Sequence, residues 1–388
     1  MKEGWTTKSI SELCDQMNGI WKGAKPPFVT AKILRTTNFT KDCQLRLDDL
    51  AIIDVEQKKM DARRLQRGDI IVEKSGGGPK QPVGRVVLFN IDDSDYSFCN
   101  FTSALRIKHQ TELLPDYLYK YLTYLYFSGE TEKYQSNLVG FRNLDFKGYV
   151  SMKVCYPSLS EQQRIVGILD AEFEKIDALK ANAEKNLQNA KDLFQAALKK
   201  ELEPKQGWTQ ETIYSLSDGM FAGGDAPKDN MSITPTNDYS IPIIANAVEN
   251  DGLYGYTNEA RVTVPAITIA GRGSGTGFVM RRLYPFFPIV RLIVIIPNTN
   301  KVCLDFLYYA IKSLNIRPSG AAIPQLTIPM IKDYLISYPP VKYQTTIADK
   351  LSLIEDRCIS LQKDHLKTIA LCDDLKQSLL RKAFSGEL

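Results

Sequence analysis

Tyr156-Pro157-Ser158-Leu159-Ser160-Glu161-Gln162-Gln163-Arg164-Ile165 is the stretch whose reading decides the fold of this chain. Ser160 to Gln163 has the pattern of a helix start. The serine can accept from the amide three residues on, Gln163 can reach back, and Glu161 lies in the positively polarised first turn. Apolar residues then recur at alternating spacings of three and four: Val166, Leu169, Phe173, Ile176, Ala183, Leu187, Ala190, Phe194 and Ala197, interrupted at Lys180. This predicts a coiled-coil seam of roughly forty residues, about 60 Å at 1.5 Å per residue.

The same plan occurs twice. Tyr338-Pro339-Pro340-Val341 matches Tyr156-Pro157-Ser158-Leu159 and leads into a weaker stripe: Ile347, Leu351, Ile354, Cys358, Leu361, His365, Cys372, Leu375 and Leu379. Working outward, Gly4-Trp5-Thr6 recurs as Gly207-Trp208-Thr209, and Pro115-Asp116-Tyr117-Leu118-Tyr119 is answered by Leu304-Asp305-Phe306-Leu307-Tyr308. Such internal repetition organises a chain before any local reading. The plan is globule (1–156), helix (157–203), globule (204–338), helix (339–388). Within the globules, Ile70-Ile71-Val72, residues 85–89, 104–107, 266–269 and 289–296 read as strands bounded by turn residues. Helices follow near 116–127 and 305–314. The fold class is α+β: two globular heads, related by a pseudo-twofold axis and separated by two long antiparallel helices that form a coiled coil. A lone amphipathic helix cannot bury its stripe, so the two are expected to pack together. Lys180 and His365 read as register devices in the seam, the histidine hydrogen-bonded.

Composition narrows the function. The 388 residues carry 49 Lys+Arg against 45 Asp+Glu, so a nucleic-acid surface would have to be a local patch rather than a global charge. Seven cysteines without a C-x-x-C pair argue against a disulfide framework or zinc ribbon, and two histidines leave little for metal or base chemistry. With no apolar run of membrane-spanning length and a polar start, the chain reads as reduced and cytoplasmic, with no membrane partner. Lys25-Pro26-Pro27-Phe28 imitates an adenine-methyltransferase motif, but lysine cannot accept the hydrogen bonds of the amine. Asp69 with Glu73-Lys74 imitates a nuclease site, but adjacent strand residues point to opposite faces. No catalytic residue and no metal site is expected.

The twin Gly-Trp starts, Leu34-Arg35-Thr36-Thr37-Asn38, Leu65-Gln66-Arg67-Gly68-Asp69-Ile70 and the segment 156–165, with Ile323-Pro324-Gln325-Leu326 and Tyr338-Pro339-Pro340 in the second copy, resemble the specificity (S) subunit of type I restriction–modification enzymes. One departure is that Tyr343-Gln344 stands where the first helix has Glu161-Gln162. The resemblance implies two target-recognition domains, each reading half of a split double-stranded DNA site. It also implies helices that set the spacing and dock two methyltransferase (M) subunits, with restriction (R) subunits joining through the complex. S-adenosylmethionine would be bound by the methyltransferases and no cofactor by this chain. A spacer longer than one DNA turn, roughly 34–36 Å, suits an unread gap, and unequal heads predict unequal half-sites. The alternative is an adaptor whose heads bind other proteins.

Two glycine-rich loops hold matching places, Lys74-Ser75-Gly76-Gly77-Gly78-Pro79-Lys80-Gln81 and Gly271-Arg272-Gly273-Ser274-Gly275-Thr276-Gly277. Neither ends as a phosphate loop does. They read as hairpin turns, and their glycines could also bring backbone amides close to phosphates. The candidate DNA contacts are Arg35, Asn38, Lys74, Ser75, Lys80, Gln81, Arg85 and Arg142 in the first copy. In the second they are Asn246, Tyr256, Arg272, Ser274, Thr276, Arg281 and Arg282. Arginine suits guanine edges and Asn or Gln suits adenine. Arg142 could equally buttress the joint between head and helix. The seam residues expected to matter most are Val166, Leu169, Phe173, Ile176, Leu187, Phe194, Leu351, Ile354, Leu361, His365 and Leu375.

Overall fold

A computed structural model describes residues 4–78, 81–138, 141–273, 275–314, 316 and 324–388. Two compact units emerge: residues 1–182 together with 368–388, and residues 183–367.

In the first unit, a four-stranded antiparallel sheet runs in the order Cys14–Asn18, Thr102–Ile107, Ile70–Glu73, Val86–Leu88. The second unit repeats that order and pairing with Ser217–Ala222, Ile293–Pro297, Ala266–Ile269 and Val279–Arg282. The first unit also has a three-stranded sheet, Ala51–Glu56, Phe28–Leu34, Tyr96–Phe98, with one antiparallel and one parallel pair. Its counterpart is Leu253–Thr257, Ile241–Ile244, Phe287–Pro288, paired the same way. The central strands are buried on both faces, so they read as continuous apolar runs. Ile70 and Val72 face one core with Tyr117 and Leu169, while Ile71 faces another with Leu34 and Phe98. Ile267 and Ile269 divide from Ala266 in the same manner in the second unit. Each fully buried isoleucine of this kind contributes about 1.5–3 kcal/mol.

One helix of each head, α1 (Pro115–Phe127) and later α3 (Leu304–Ser313), packs on the four-stranded sheet. The long helices are α2 (Leu159–Glu201) and α4 (Val341–Ser385). In the first unit α2 and α4 run antiparallel, as the ion pairs Lys180–Asp373 at 2.6 Å and Asp177–Lys376 require. In the second unit Glu201 of α2 pairs with Lys350 of α4 at 2.7 Å. The α2 stripe follows the expected spacing, with Leu169, Ile176, Ala183, Ala190 and Phe194 buried and Val166, Phe173 and Leu187 half-buried. Phe173 lies between the ammonium groups of Lys120 and Lys376, about 5 Å from each.

On α4, Leu351 is buried and Ile354 and Leu361 are half-buried, but two expectations need correction. Leu375 is exposed, because after Cys372 the buried stripe steps by four to Lys376 and on to Leu380 and Ala383. His365 is half-buried and makes no hydrogen bond among the described residues, so ion pairs such as Lys180–Asp373 fix the register instead.

The strand before each long helix closes its head. Thr6–Ser9 pairs with Lys153–Tyr156, and Thr209–Thr212 with Leu335–Tyr338. At this joint the two copies carry opposite charges at equivalent positions. In the first, Lys8 Nζ lies 2.5 Å from Glu112 and the Tyr156 hydroxyl donates to the same carboxylate. In the second, the strand supplies the acid: Glu211 takes Lys301 at 2.7 Å and the Tyr338 hydroxyl at 2.6 Å. Lys8 holds the Glu112 carboxyl below its ordinary range, and Lys301 with Tyr338 holds Glu211 at about 2. The Glu211 carboxylate therefore stabilises the fold above about pH 4.5, and that contribution is lost as the pH falls toward 2. Lys8→Glu alone should cost about 1 kcal/mol in thermal unfolding. Adding Glu112→Lys should recover most of it, because the second copy already uses that arrangement. Absence of recovery would mean that the pair does not act as a unit.

Candidate DNA-reading surface

The glycine-rich loops occupy equivalent places, each linking two antiparallel strands of the four-stranded sheet. The first is more than a hairpin turn. Ser75–Gly77 forms a strand that pairs with Phe141–Leu144 in the run toward α2, with Ser75 opposite Asn143 and Gly77 opposite Arg142. The second loop makes one corresponding bridge, Arg272 opposite Gln325, in the run toward α4. Hydroxyls fasten both loops. Ser75 Oγ donates to Asn143 Oδ1 at 2.7 Å, and Thr276 Oγ1 donates to the carbonyls of Gly273 and Pro324 at 2.6 and 3.1 Å. Gly77 admits no side chain, since a Cβ there would stand 2.6 Å from the Gln81 carbonyl.

Several candidates turn inward. Asn38 is fully buried: its oxygen accepts from the Arg35 amide at 2.8 Å and its nitrogen donates to the carbonyls of Arg46 and Asp49. It shapes its own loop and cannot reach a base. Arg85 is buried in a two-pronged pair with Glu73, at 2.7 and 2.8 Å, and donates a third bond to the Phe39 carbonyl. Gln81 lies against the same guanidinium. Arg282 is buried as well, donating to the Asp251 carbonyl and the Thr268 and Tyr284 hydroxyls. These arginines read in sequence as basic residues beside a loop. They end inside because alternate strand residues face the core and a guanidinium with satisfied donors can be buried there.

Others are engaged at the surface. Arg35 pairs with Asp49 at 2.8 Å, Arg281 with Asp305 at 2.6 Å, and Arg142 lies 3.7 Å from Glu132. The Arg281 guanidinium also covers the Tyr308 ring at 4.6 Å. Asn246 is a clamp, accepting from the Gly271 amide at 2.8 Å and donating to the Val290 carbonyl. Lys74 reaches Asn18 at 3.1 Å and packs over Phe146, and burial lowers its ammonium pKa. Tyr256 is half-buried in its strand. Arg272 is exposed and has no carboxylate partner among the described residues. Lys80 and Ser274 lie outside the described residues.

The carboxylates that imitated a nuclease site are already engaged, Asp69 by Arg106 at 2.6 Å and Glu73 by Arg85. Burial pushes the Cys14 and Cys43 thiols up to about 12, which makes them inert structural cysteines. Among the described residues no cluster is placed to hold a metal ion, and no helix is long and apolar enough to cross a membrane.

Sequence reasoning passed over the residues that join head and helix. Gln162 is buried; its oxygen accepts from the Leu114 amide at 2.9 Å at the start of α1, and its nitrogen donates to the carbonyls of Glu112 and Pro157. Gln344 repeats every bond with the Cys303 amide and the carbonyls of Lys301 and Pro339. The shared signal was the glutamine six residues after each Tyr-Pro tyrosine, not the acid beside it.

A duplicated α+β head, each copy joined to a long helix through the same glutamine, defines an internally repeated protein. The sequence model of the type I restriction modification DNA specificity domain matches residues 2–189 and again 205–371, and the chain belongs to that family. Two relatives from Mycoplasma pneumoniae carry the name type I specificity subunit. One is 28% identical over 57% of this chain and 60% of its own length, the other 29% over 37% and 43%. The chain thus aligns with about half the length of these curated relatives. Among solved structures, a chain from work on complex assembly and conformational transition of the type I R-M system matches with a TM-score of 0.79 at 16% identity. The match covers 100% of this chain and 99% of that one. The HsdS subunit from Thermoanaerobacter tengcongensis gives 0.56 at 15%, over 100% and 98%. At such identities the likeness is one of fold.

Proposed function

We propose that this chain is the DNA sequence-specificity subunit of a type I restriction–modification complex. Each head reads one half of a bipartite double-stranded site, and the helices set the gap between the halves. Two methyltransferase subunits dock on the helices and supply S-adenosylmethionine chemistry, and restriction subunits join through the complex. The chain itself performs no covalent step, yet adenine methylation and restriction both depend on it, within the cytoplasm.

The observation that supports this most is the repetition of strand order, of the place of the glycine loop and of the glutamine joint, with differing surface residues on the two heads. Repeated scaffolds with different exposed side chains suit two unequal half-sites. The helices, 43 and 45 residues, are each about 65 Å long at 1.5 Å per residue, which exceeds one DNA turn. Co-expression with the methyltransferase, followed by genome-wide mapping of methylated adenines, tests the reading. The expected motif has two unlike parts separated by a fixed unread gap. A single contiguous or palindromic motif would contradict it.

A further inference from the structure

Next to each glycine loop stands a four-residue turn that joins the outer sheet to the central one. In the first head it is Cys99–Thr102, closed by the Thr102 amide on the Cys99 carbonyl at 3.0 Å. In the second it is Ile289–Leu292, closed by the Leu292 amide on the Ile289 carbonyl at 3.1 Å. Their backbones are held alike. The Cys99 amide donates to Leu34 and the Ile289 amide to Ile244, each at 2.9 Å, and a glycine lies beneath each turn. A Cβ on Gly19 would stand 1.9 Å from the Cys99 carbonyl oxygen, and one on Gly223 would stand 2.7 Å from the Ile289 nitrogen. Each glycine loop then seats on the third residue of the turn. The Lys74 amide donates to the Phe101 carbonyl at 2.8 Å, and Gly271 leaves room for no more than a hydrogen against the Arg291 carbonyl.

The side chains at the tips differ in character from this anchored backbone. Phe101 is 54% exposed and Val290 50%, and Arg291 is exposed too. Among the described residues nothing holds the polar ends of Asn100 or Arg291, or the Phe101 ring. Val290 and Arg291 have φ of 52° and 60°, which glycine and asparagine adopt readily and a β-branched residue very rarely does. The Gly224 and Gly223 carbonyls hold them there, accepting from the Val290 amide at 2.7 Å and the Arg291 amide at 2.9 Å. Strain retained at an exposed tip, under residues with no structural partner, points to use of the side chains themselves.

We propose that the tip pairs Asn100–Phe101 and Val290–Arg291 are the specificity-determining residues of the two heads. Asn100 pairs with an adenine edge and Arg291 with a guanine edge, while Phe101 and Val290 pack on apolar groups such as the thymine methyl. Exposed Arg272, one residue beyond Gly271, approaches the phosphate beside the second tip. The inference rests on the half-site reading and assigns it to residues.

The test uses the full chain assembled with its methyltransferase subunits, selecting sites from DNA randomised across both halves. Arg291→Gly removes the side chain and accepts the left-handed backbone, so thermal stability should stay level or rise. Discrimination at one or two positions of the second half-site should fall roughly 5- to 150-fold, the equivalent of about 1–3 kcal/mol for a two-pronged base contact. The first half should stay as it was. Asn100→Ala should give the mirror result, confined to the first half. Unchanged selection in both variants, or a uniform loss of affinity with the same preferred bases, would overturn the assignment while leaving the half-site reading in place. Failure of the unmodified complex to select any split site would overturn both.

Discussion

Arg85→Ala is expected to destabilise the first unit by about 3–5 kcal/mol, read as a lowered denaturant midpoint, even though sequence patterning marks Arg85 as a DNA contact. Its side chain is 7% exposed and that of Glu73 1%. Removing the guanidinium strands a buried carboxylate, uncovers the Phe39 ring and frees the Phe39 carbonyl. A double change, Arg85→Met with Glu73→Leu, should restore most of the loss, since replacing a buried ion pair with apolar groups of similar volume is often neutral. DNA selection by that double variant should match the unmodified protein. If Arg85→Ala instead left the midpoint unmoved and weakened DNA binding, the buried assignment would be wrong.

The second large effect is expected at Gln344. Alanine there removes three hydrogen bonds of 2.8–2.9 Å at a site with no solvent exposure. It leaves the Cys303 amide, at the start of α3, and the Lys301 and Pro339 carbonyls without partners. At about 1–3 kcal/mol for each stranded group, partly relieved by local relaxation, the loss should be about 3–5 kcal/mol. Gln344→Glu should be no milder. It keeps the acceptor for the Cys303 amide but turns a carboxylate oxygen toward two carbonyls. Gln162 has the same bonds and should behave in the same way in the first unit. Equilibrium unfolding of the four single variants checks this. Full stability of either glutamate variant would show that the amide nitrogen does not matter.

The repeat and the long helices were legible in the sequence because each rests on periodic or duplicated residues. Tyr-Pro before each helix, the apolar stripe of α2 and the glycine loops all have local signatures. The inward turn of Arg85 and Arg282 was not legible, because it depends on which face of a strand meets the core and on partners such as Glu73 and the Asp251 carbonyl. Those partners are set by tertiary pairing. Leu375 looked like seam because a strict three–four alternation continues to it, while the helix surface that packs steps by four at that point. Residues 289–292 read in sequence as the start of a strand, but the strand begins at Ile293 and 289–292 form a turn, unseen because Val290-Arg291 has none of the glycine or asparagine that announces one. Their conformation is imposed by Gly223 and Gly224, far away in sequence.

Independent reading by two heads is the central claim about this protein. The most direct measurement replaces residues 1–150 with the head of another specificity subunit and maps adenine methylation in cells that express the methyltransferase. One half of the motif is expected to change while the other half and the gap persist. A change in both halves, or in neither, would contradict it.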